Sequence, residues 1–326
     1  MSEITMVQAI DLALARAMCE DPRVIVLGED VGIDGGVFRA TDGLLAKFGP
    51  ERVIDTPVAE VGIAGVSIGL ATQGFRPVVE IQFTGFAYAT LDQIVNHASR
   101  LRTRTRGRLT CPMVLRSPCG GGIRAIEHHS ESPEAMFAHI PGLRTVMPSS
   151  PGRAYGLLLA AIRDPDPVVF LEPTRLYRAA REEVADDSTA SPLDRAFVLR
   201  EGTDVSVITW GGMVPEAVDA AAELQERGIE TEIIDVATLK PLDAETIIAS
   251  VQKTGRCVIV HEAPRTGGYG GEIAAQLAEH ALTSLIAPIE RVTGFDTVMP
   301  LPRLEDVYLP NAARIVAAAE RAMRYR

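Results

Sequence analysis

Four stretches of this chain carry side chains able to do chemistry. The first is DTPVAEVGIAG, residues 55–65, where Glu60 follows Pro57 among the apolar neighbours Val58, Ala59, Val61 and Ile63. A carboxyl group in such company keeps its proton more readily and can share it with a bound base. A helix N-terminus favours a glutamate through its dipole alone, so both readings stand. Behind it Gly62, Gly65 and Gly69 fall on one helix face, suited to close approach of another subunit or to core packing. The second stretch is GGGIRAIEHHSESPEA, residues 120–135. Its glycines predict a mobile loop, and His128 and His129 supply groups that exchange a proton near neutral pH. Adjacent side chains point apart, so at most one of the two faces a given site. A solvated polar loop accounts for the same residues, and no further ligands stand at metal-site spacing. The third is EIQFTGFAYATLDQI, residues 80–94, whose Phe83, Phe86 and Tyr88 either stack on a flat ring or fill core. Arg102, Arg104, Arg106 and Arg108 follow as a salt-bridged or interface surface. The fourth is HEAPRTGGYGGEI, residues 261–273. It lacks the spacing and downstream acid of a dinucleotide fingerprint and reads as a structural turn or partner surface.

All four lie at junctions between expected elements. Strands are predicted at 24–27, 52–55, 77–83, 113–116, 144–147 and 168–171. Helices alternate with them: one opening at Thr5 with Gln8 as a capping box, then 60–71, 91–106 and 150–163. This alternation predicts an α/β unit with a mainly parallel sheet. Such sheets bind ligands at the carboxyl ends of their strands, where the candidates fall. The polar, acidic and aperiodic run 178–192 reads as a linker. A second α/β unit follows, with strands at 205–209, 230–236, 257–261 and 290–293 and helices at 214–227, 244–252, 269–281 and 311–325.

The 326 residues suit two domains of roughly 100–200 residues each. With 47% hydrophobic and 23% charged residues, the chain has an ordinary globular balance. A formal net charge of −11 argues against nucleic acid and anionic membrane as partners. Four cysteines, none in a C-x-x-C pair, suit a reducing cytoplasm and no structural zinc. The first residues lack a cationic start followed by an apolar run, so no leader is expected.

Taken in order, LGEDVGIDGGVFRATDGL, RVIDTPVAEVGIAG, EIQFTGFAYATLDQI, EHHSESPEAMFAHIPGL, DPVVFLEPTRLYRAAREEV and HEAPRTGGYGGEI resemble the β subunits of the pyruvate, branched-chain 2-oxo acid and acetoin dehydrogenase group. The likeness runs essentially from Ile4 onward. It implies a transketolase-like fold: residues 1–180 a thiamine-diphosphate pyrimidine-binding domain, 181–194 a linker, 195–326 a transketolase C-terminal domain. Each domain is expected to hold a mainly parallel sheet flanked by helices. It implies an α2β2 heterotetramer with thiamine diphosphate between α and β, and a lipoyl domain and dihydrolipoyl acyltransferase core as further partners. Thiamine enzymes hold the diphosphate through magnesium with Gly-Asp-Gly and an Asn roughly 25–30 residues on, an oxygen-donor arrangement. This chain has no Gly-Asp-Gly, so the magnesium is expected on the α subunit.

Residue by residue, Glu60 matches the family glutamate that shares a proton with the aminopyrimidine ring. Phe86 matches an aromatic that stacks on the pyrimidine, with Gln82 nearby. His129 matches a histidine at the channel mouth that acts in reductive acylation of the lipoyl group; His128 receives no role. Branched-chain relatives bind potassium, and the matching positions are Cys111, Met113, Val114, Ala161, Asp164 and Asp166, mainly through backbone carbonyls. The implied activity is oxidative decarboxylation of a small 2-oxo acid, branched-chain or pyruvate, with acyl transfer to lipoamide. Acetoin cleavage with the same cofactor and a purely structural docking subunit are the alternatives.

Overall fold

The structure is a computed structural model that describes residues 3–325. Its larger sheet has seven strands, ordered Thr238–Lys240, Arg144–Val146, Val168–Pro173, Val114–Cys119, Arg76–Glu80, Val24–Gly28 and Val53–Asp55. Six are parallel; Thr238–Lys240 at one edge runs antiparallel to Arg144–Val146. The strands Val24–Gly28, Val114–Cys119 and Val168–Pro173 are buried along their whole length. That follows from covering both faces of a parallel sheet, and explains why these segments read as continuous apolar runs.

One face packs under the helices Met6–Glu20 and Pro151–Arg163, which lie against each other. The capping box is present: the Thr5 N–H donates to the Gln8 side chain at 3.0 Å. The Pro151 helix starts on Ser150, whose side chain accepts from the Arg153 N–H at 3.4 Å. The other face merges into a core cluster shared with the second unit, running through Met147, Trp210, Ile234, Val236 and Leu239.

The second sheet is ordered Glu290–Gly294, Cys257–Pro264, Val205–Thr209, Thr231–Asp235 and Phe197–Arg200. Only Phe197–Arg200 is antiparallel. Alternate residues serve opposite faces: Val258 and Val260 meet the helices Val214–Glu226 and Ala312–Arg324, while Cys257 and Ile259 share a cluster with Ala244–Thr254 and Gly270–His280. Among the described residues no helix is long and apolar enough to cross a membrane.

The structure departs from the expected elements in four places. The stretch read as an aperiodic linker begins with a strand, Arg181–Glu183, paired antiparallel with Glu3–Thr5. The helix expected over 91–106 is broken into Leu91–Asn96 and Leu101–Arg104 by a 3-10 turn at Ala98–Arg100. The strand expected over 77–83 stops at Glu80, which frees Gln82 and Phe83 to turn into a short helix, Thr84–Ala87. Finally, the chain crosses back after Thr231–Asp235 to give its next strand to the first sheet. Asp235 anchors that crossing, accepting from the Ala237 N–H at 3.1 Å and from the Ser149 hydroxyl of the first unit. Its burial pushes the carboxyl up to about 6.

The middle of the larger sheet holds a charged group. Arg116 donates to Glu172 through Nε (2.7 Å) and Nη2 (3.0 Å), and to Glu80 through Nη1 (3.0 Å). Arg116 and Glu172 are at most 1% exposed. Burial works against the guanidinium's charge, but Glu172 and Glu80 outweigh it and hold the proton on. Burial also raises Glu80, with Arg116 opposing. Removing one member of a buried ion network leaves uncompensated charge in a low-dielectric interior. Arg116→Met is therefore expected to lower stability by about 3–5 kcal/mol, read as a fall in the urea midpoint; an unchanged midpoint would show that the two carboxylates need no counter-charge.

Candidate active site

The candidate residues leave the carboxyl ends of neighbouring parallel strands. Glu29 and Asp30 follow Val24–Gly28, Glu60 follows Val53–Asp55, Gln82 and Phe86 follow Arg76–Glu80, and His128 and His129 follow Val114–Cys119. Glu60 is the first residue of the helix Glu60–Thr72 and is partly exposed. Glu29 is almost buried, and one of its carboxylate oxygens has no partner. Burial raises Glu29, and the Glu60 charge beside it raises it further. Gln82 donates to Asp30 at 3.2 Å. The loop between them is shaped by Asp55, which accepts from the N–H groups of Gly32 (2.6 Å) and Ile33 (3.1 Å).

Phe83, Phe86, His128 and His129 form one ring cluster. The His129 ring lies 4.0 Å from that of Phe83, 5.6 Å from Phe86 and 4.3 Å from His128, centroid to centroid. Burial lowers the His129 pKa, and His128 adds to the effect against an opposing pull from Glu127. His129 Nδ1 is buried without a partner. Tyr88 stands apart, donating to Glu131 at 2.9 Å. The loop expected to be mobile is instead seated: the helix residue Gly85 lies under the His128 carbonyl, so close that a Cβ there would overlap the oxygen.

Gly69 faces open space, Gly62 is exposed with only Ala59 Cβ within reach of an added Cβ (3.7 Å), and Val58, Val61 and Val66 beside them are well exposed. Core packing within this chain therefore does not explain those two small residues. A groove of 1170 Å³ between the two units, lined by Val95, Met136, Tyr269 and Arg291 among others, takes in part of the fourth stretch but none of Glu60, Gln82, Phe86, His128 and His129. The fourth stretch is structural. His261 is fully buried, stacked on Trp210 at 5.3 Å, and burial brings its pKa down to about 4. Its turn needs glycine because a Cβ at Gly268 or Gly270 would lie 2.6 or 2.8 Å from the imidazole.

The residues matched to potassium lie together at the opposite ends of the strands. Val168 N–H donates to the Met113 carbonyl (3.0 Å), joining the segment of Cys111, Met113 and Val114 to that of Ala161, Asp164 and Asp166. Several oxygens here have donors. Arg76 donates to the carbonyls of Ile162 (2.8 Å) and Asp164 (3.1 Å), Arg144 Nε lies 2.8 Å from Asp164 Oδ2, and Arg102 donates to Asp166 (2.7 Å). Guanidinium groups thus bring positive charge to Asp164 and Asp166. No group of three or more His, Cys, Asp or Glu residues among the described residues is arranged to hold a metal.

Unpartnered buried atoms of Glu29 and His129, a partly exposed Glu60 and two phenylalanine rings fit a flat heteroaromatic ring with both donor and acceptor edges. Sequence reading singled out Glu60, Gln82, Phe86 and His129, and the structure brings all four to the ends of neighbouring strands. It missed Glu29, Asp30 and Gly85, although a Glu-Asp pair directly after a predicted strand was a usable signal.

Residues 2–180 match the family described as "Transketolase, pyrimidine binding domain" and residues 194–315 that described as "Transketolase, C-terminal domain". The chain is similar to the pyruvate dehydrogenase E1 component subunit beta of Bacillus subtilis (strain 168), 48% identical with all of both chains covered. It is 47% identical to that of Staphylococcus aureus (strain Mu50), also over all of both chains. Among solved structures it resembles a split-gene transketolase described as an inactive β4 tetramer, with a TM-score of 0.81, 27% identity and 99% of each chain covered. A Pichia stipitis transketolase complex shares the fold at a TM-score of 0.74 and 12% identity, matching 99% of this chain and 46% of that one.

Gly85→Ala is expected to push the histidine loop off its seat and lower turnover of the enzyme reconstituted with its partner chain by at least about tenfold, the equivalent of ~1.4 kcal/mol. The far-UV circular dichroism should not change. Full activity in that variant would mean that the loop's height is unimportant.

Proposed function

Because the chain belongs to the transketolase-like β subunits of 2-oxo acid dehydrogenases, we propose that it supplies the pyrimidine-side half of a thiamine-diphosphate site that oxidises pyruvate and passes the acyl group to a lipoyl group. The observation that carries this reading is the gathering of Glu60, Gln82, Phe86 and His129 on neighbouring strand ends, beside a helix face left open at Gly62 and Gly69. The names of the curated relatives support pyruvate over a branched-chain acid.

Thiamine diphosphate, when bound, supplies the electron sink that lets the substrate carbon release carbon dioxide. The Glu60 carboxyl group would share a proton with a ring nitrogen of the aminopyrimidine when that ring is bound. Glu29, raised by its burial and by the charge of Glu60, limits how much negative charge collects there. Phe86 offers a ring face, and Asp30 fixes the Gln82 amide. His129 stands beside both phenylalanines, and burial lowers its pKa. In the transfer step a carbon–sulfur bond forms as the lipoyl sulfur–sulfur bond breaks. The carbon loses two electrons to the disulfide, and the second sulfur takes a proton that His129 is placed to relay.

The diphosphate and its magnesium belong to a separate α chain, since Gly-Asp-Gly is absent here. The open glycine face, with Val58, Val61 and Val66, is where a neighbouring chain closes over Glu60. The description of a structural relative as inactive when it holds β chains alone agrees with a half-site. An α2β2 assembly that docks on an acyltransferase core completes the proposal.

With the α chain present, Glu60→Gln is expected to lower 2-oxo acid turnover by at least about a thousandfold, the upper range of a lost proton-transfer group. Steady-state rates decide it: a variant with normal turnover would leave this chain a docking subunit. In the same assay pyruvate should exceed 2-oxoisovalerate and acetoin in kcat/KM; a preference for either of the others reassigns the substrate.

A further inference from the structure

The loop that bears His128 and His129 is fastened from both units. From the first unit, Glu131 secures its far end: the Glu131 carbonyl accepts from the Gly120 N–H (2.8 Å) and the Thr84 hydroxyl (3.1 Å), and its carboxylate accepts from Tyr88 (2.9 Å). From the second unit two carboxylates reach across. Glu262, near the end of Cys257–Pro264, accepts from the Gly121 N–H and from the Ser132 hydroxyl (3.2 Å). Glu305, first residue of the short helix Glu305–Tyr308, accepts from the Gly122 N–H. Glu262 is 9% exposed and Glu305 1%.

The three consecutive glycines answer to this seat. A Cβ at Gly120 would lie 3.0 Å from Glu262 Oε1, one at Gly121 would lie 2.7 Å from Met299 Cε and 3.1 Å from Glu305 Oε1, and one at Gly122 would lie 3.0 Å from Arg175 Cβ. Gly120 and Gly122 also have φ of +78° and +89°, the left-handed region that glycine enters without strain. Arg175 itself is tied to Glu216 of the second unit at 2.7 Å. Backbone N–H groups given to buried carboxyl oxygens are satisfied donors. Losing the acceptor strands a buried donor.

The geometry points to Glu262 and Glu305 as positioning residues that clamp the histidine loop at a fixed height across the two units, so that acyl transfer to an incoming lipoyl group depends on them and loss of carbon dioxide does not. The dependence of transfer rests on the role of His129 proposed above. Glu60 sits on a helix of the first unit that bonds to neither carboxylate, which is why the earlier step is spared.

The test uses the enzyme reconstituted with its α chain and compares Glu305→Ala with Glu305→Gln, whose amide oxygen still accepts from Gly122. Three quantities are read: amide exchange over residues 120–132, decarboxylation with ferricyanide as acceptor, and acylation of a free lipoyl domain. In Glu305→Ala, exchange should rise and lipoyl acylation should fall at least about tenfold, with the ferricyanide rate held within about threefold; Glu305→Gln should restore both. Unchanged exchange in Glu305→Ala, or an equal fall in both rates, overturns the clamp. His129→Ala is the control. Unimpaired acylation in that variant would defeat the role of His129, and the exchange result would still decide the clamp.

Discussion

A guanidinium with almost no access to water stands at the centre of the larger sheet. Arg116 lies between Glu80 and Glu172, so three adjacent strands are joined by charge as well as by backbone hydrogen bonds. Such a group is costly to bury unless its geometry is fully met, and here Tyr177 adds a further donor to Glu172. Glu80 also sits against Gly36, where a Cβ would lie 2.9 Å from its carboxylate. The network therefore reaches the loop after Val24–Gly28 as well. The loops that carry Gln82, Phe86, His128 and His129 spring from strands of this network, and the loop that carries Glu29 and Asp30 touches it at Gly36.

The polar residues at those strand ends are incompletely satisfied, and that is informative. Buried polar atoms normally find partners, yet Glu29 and His129 each keep one that does not. Beside them the Glu60 helix presents glycines and valines to open space. The 1170 Å³ groove elsewhere holds neither Glu60 nor His129.

Much of this was legible in the residues. Period and alternation gave the parallel strands, and the Thr5–Gln8 box gave the first helix start, because these signals are local. Glu60 and Phe86 were visible as polar or aromatic groups at strand-to-helix junctions. Glycine was the harder letter to read. The run Gly120–Gly122 suggested mobility, whereas the backbone there rests on Glu262, Glu305 and Arg175, up to 183 residues away in sequence. Gly85 serves His128 in the same way. No local pattern announces a partner so distant. The broken helix after Leu91 and the strand at Arg181–Glu183 were likewise decided by tertiary pairing.

The strand Thr238–Lys240 has a consequence for how the molecule is made. The larger sheet is otherwise complete once the chain has passed Pro173, but its edge at Arg144–Val146 stays bare until about sixty more residues have left the ribosome. An uncovered strand edge invites pairing with other chains. The nascent first unit thus spends part of synthesis in its most adhesive form, and a protease that cut between the two units would leave fragments still stitched together by that borrowed strand.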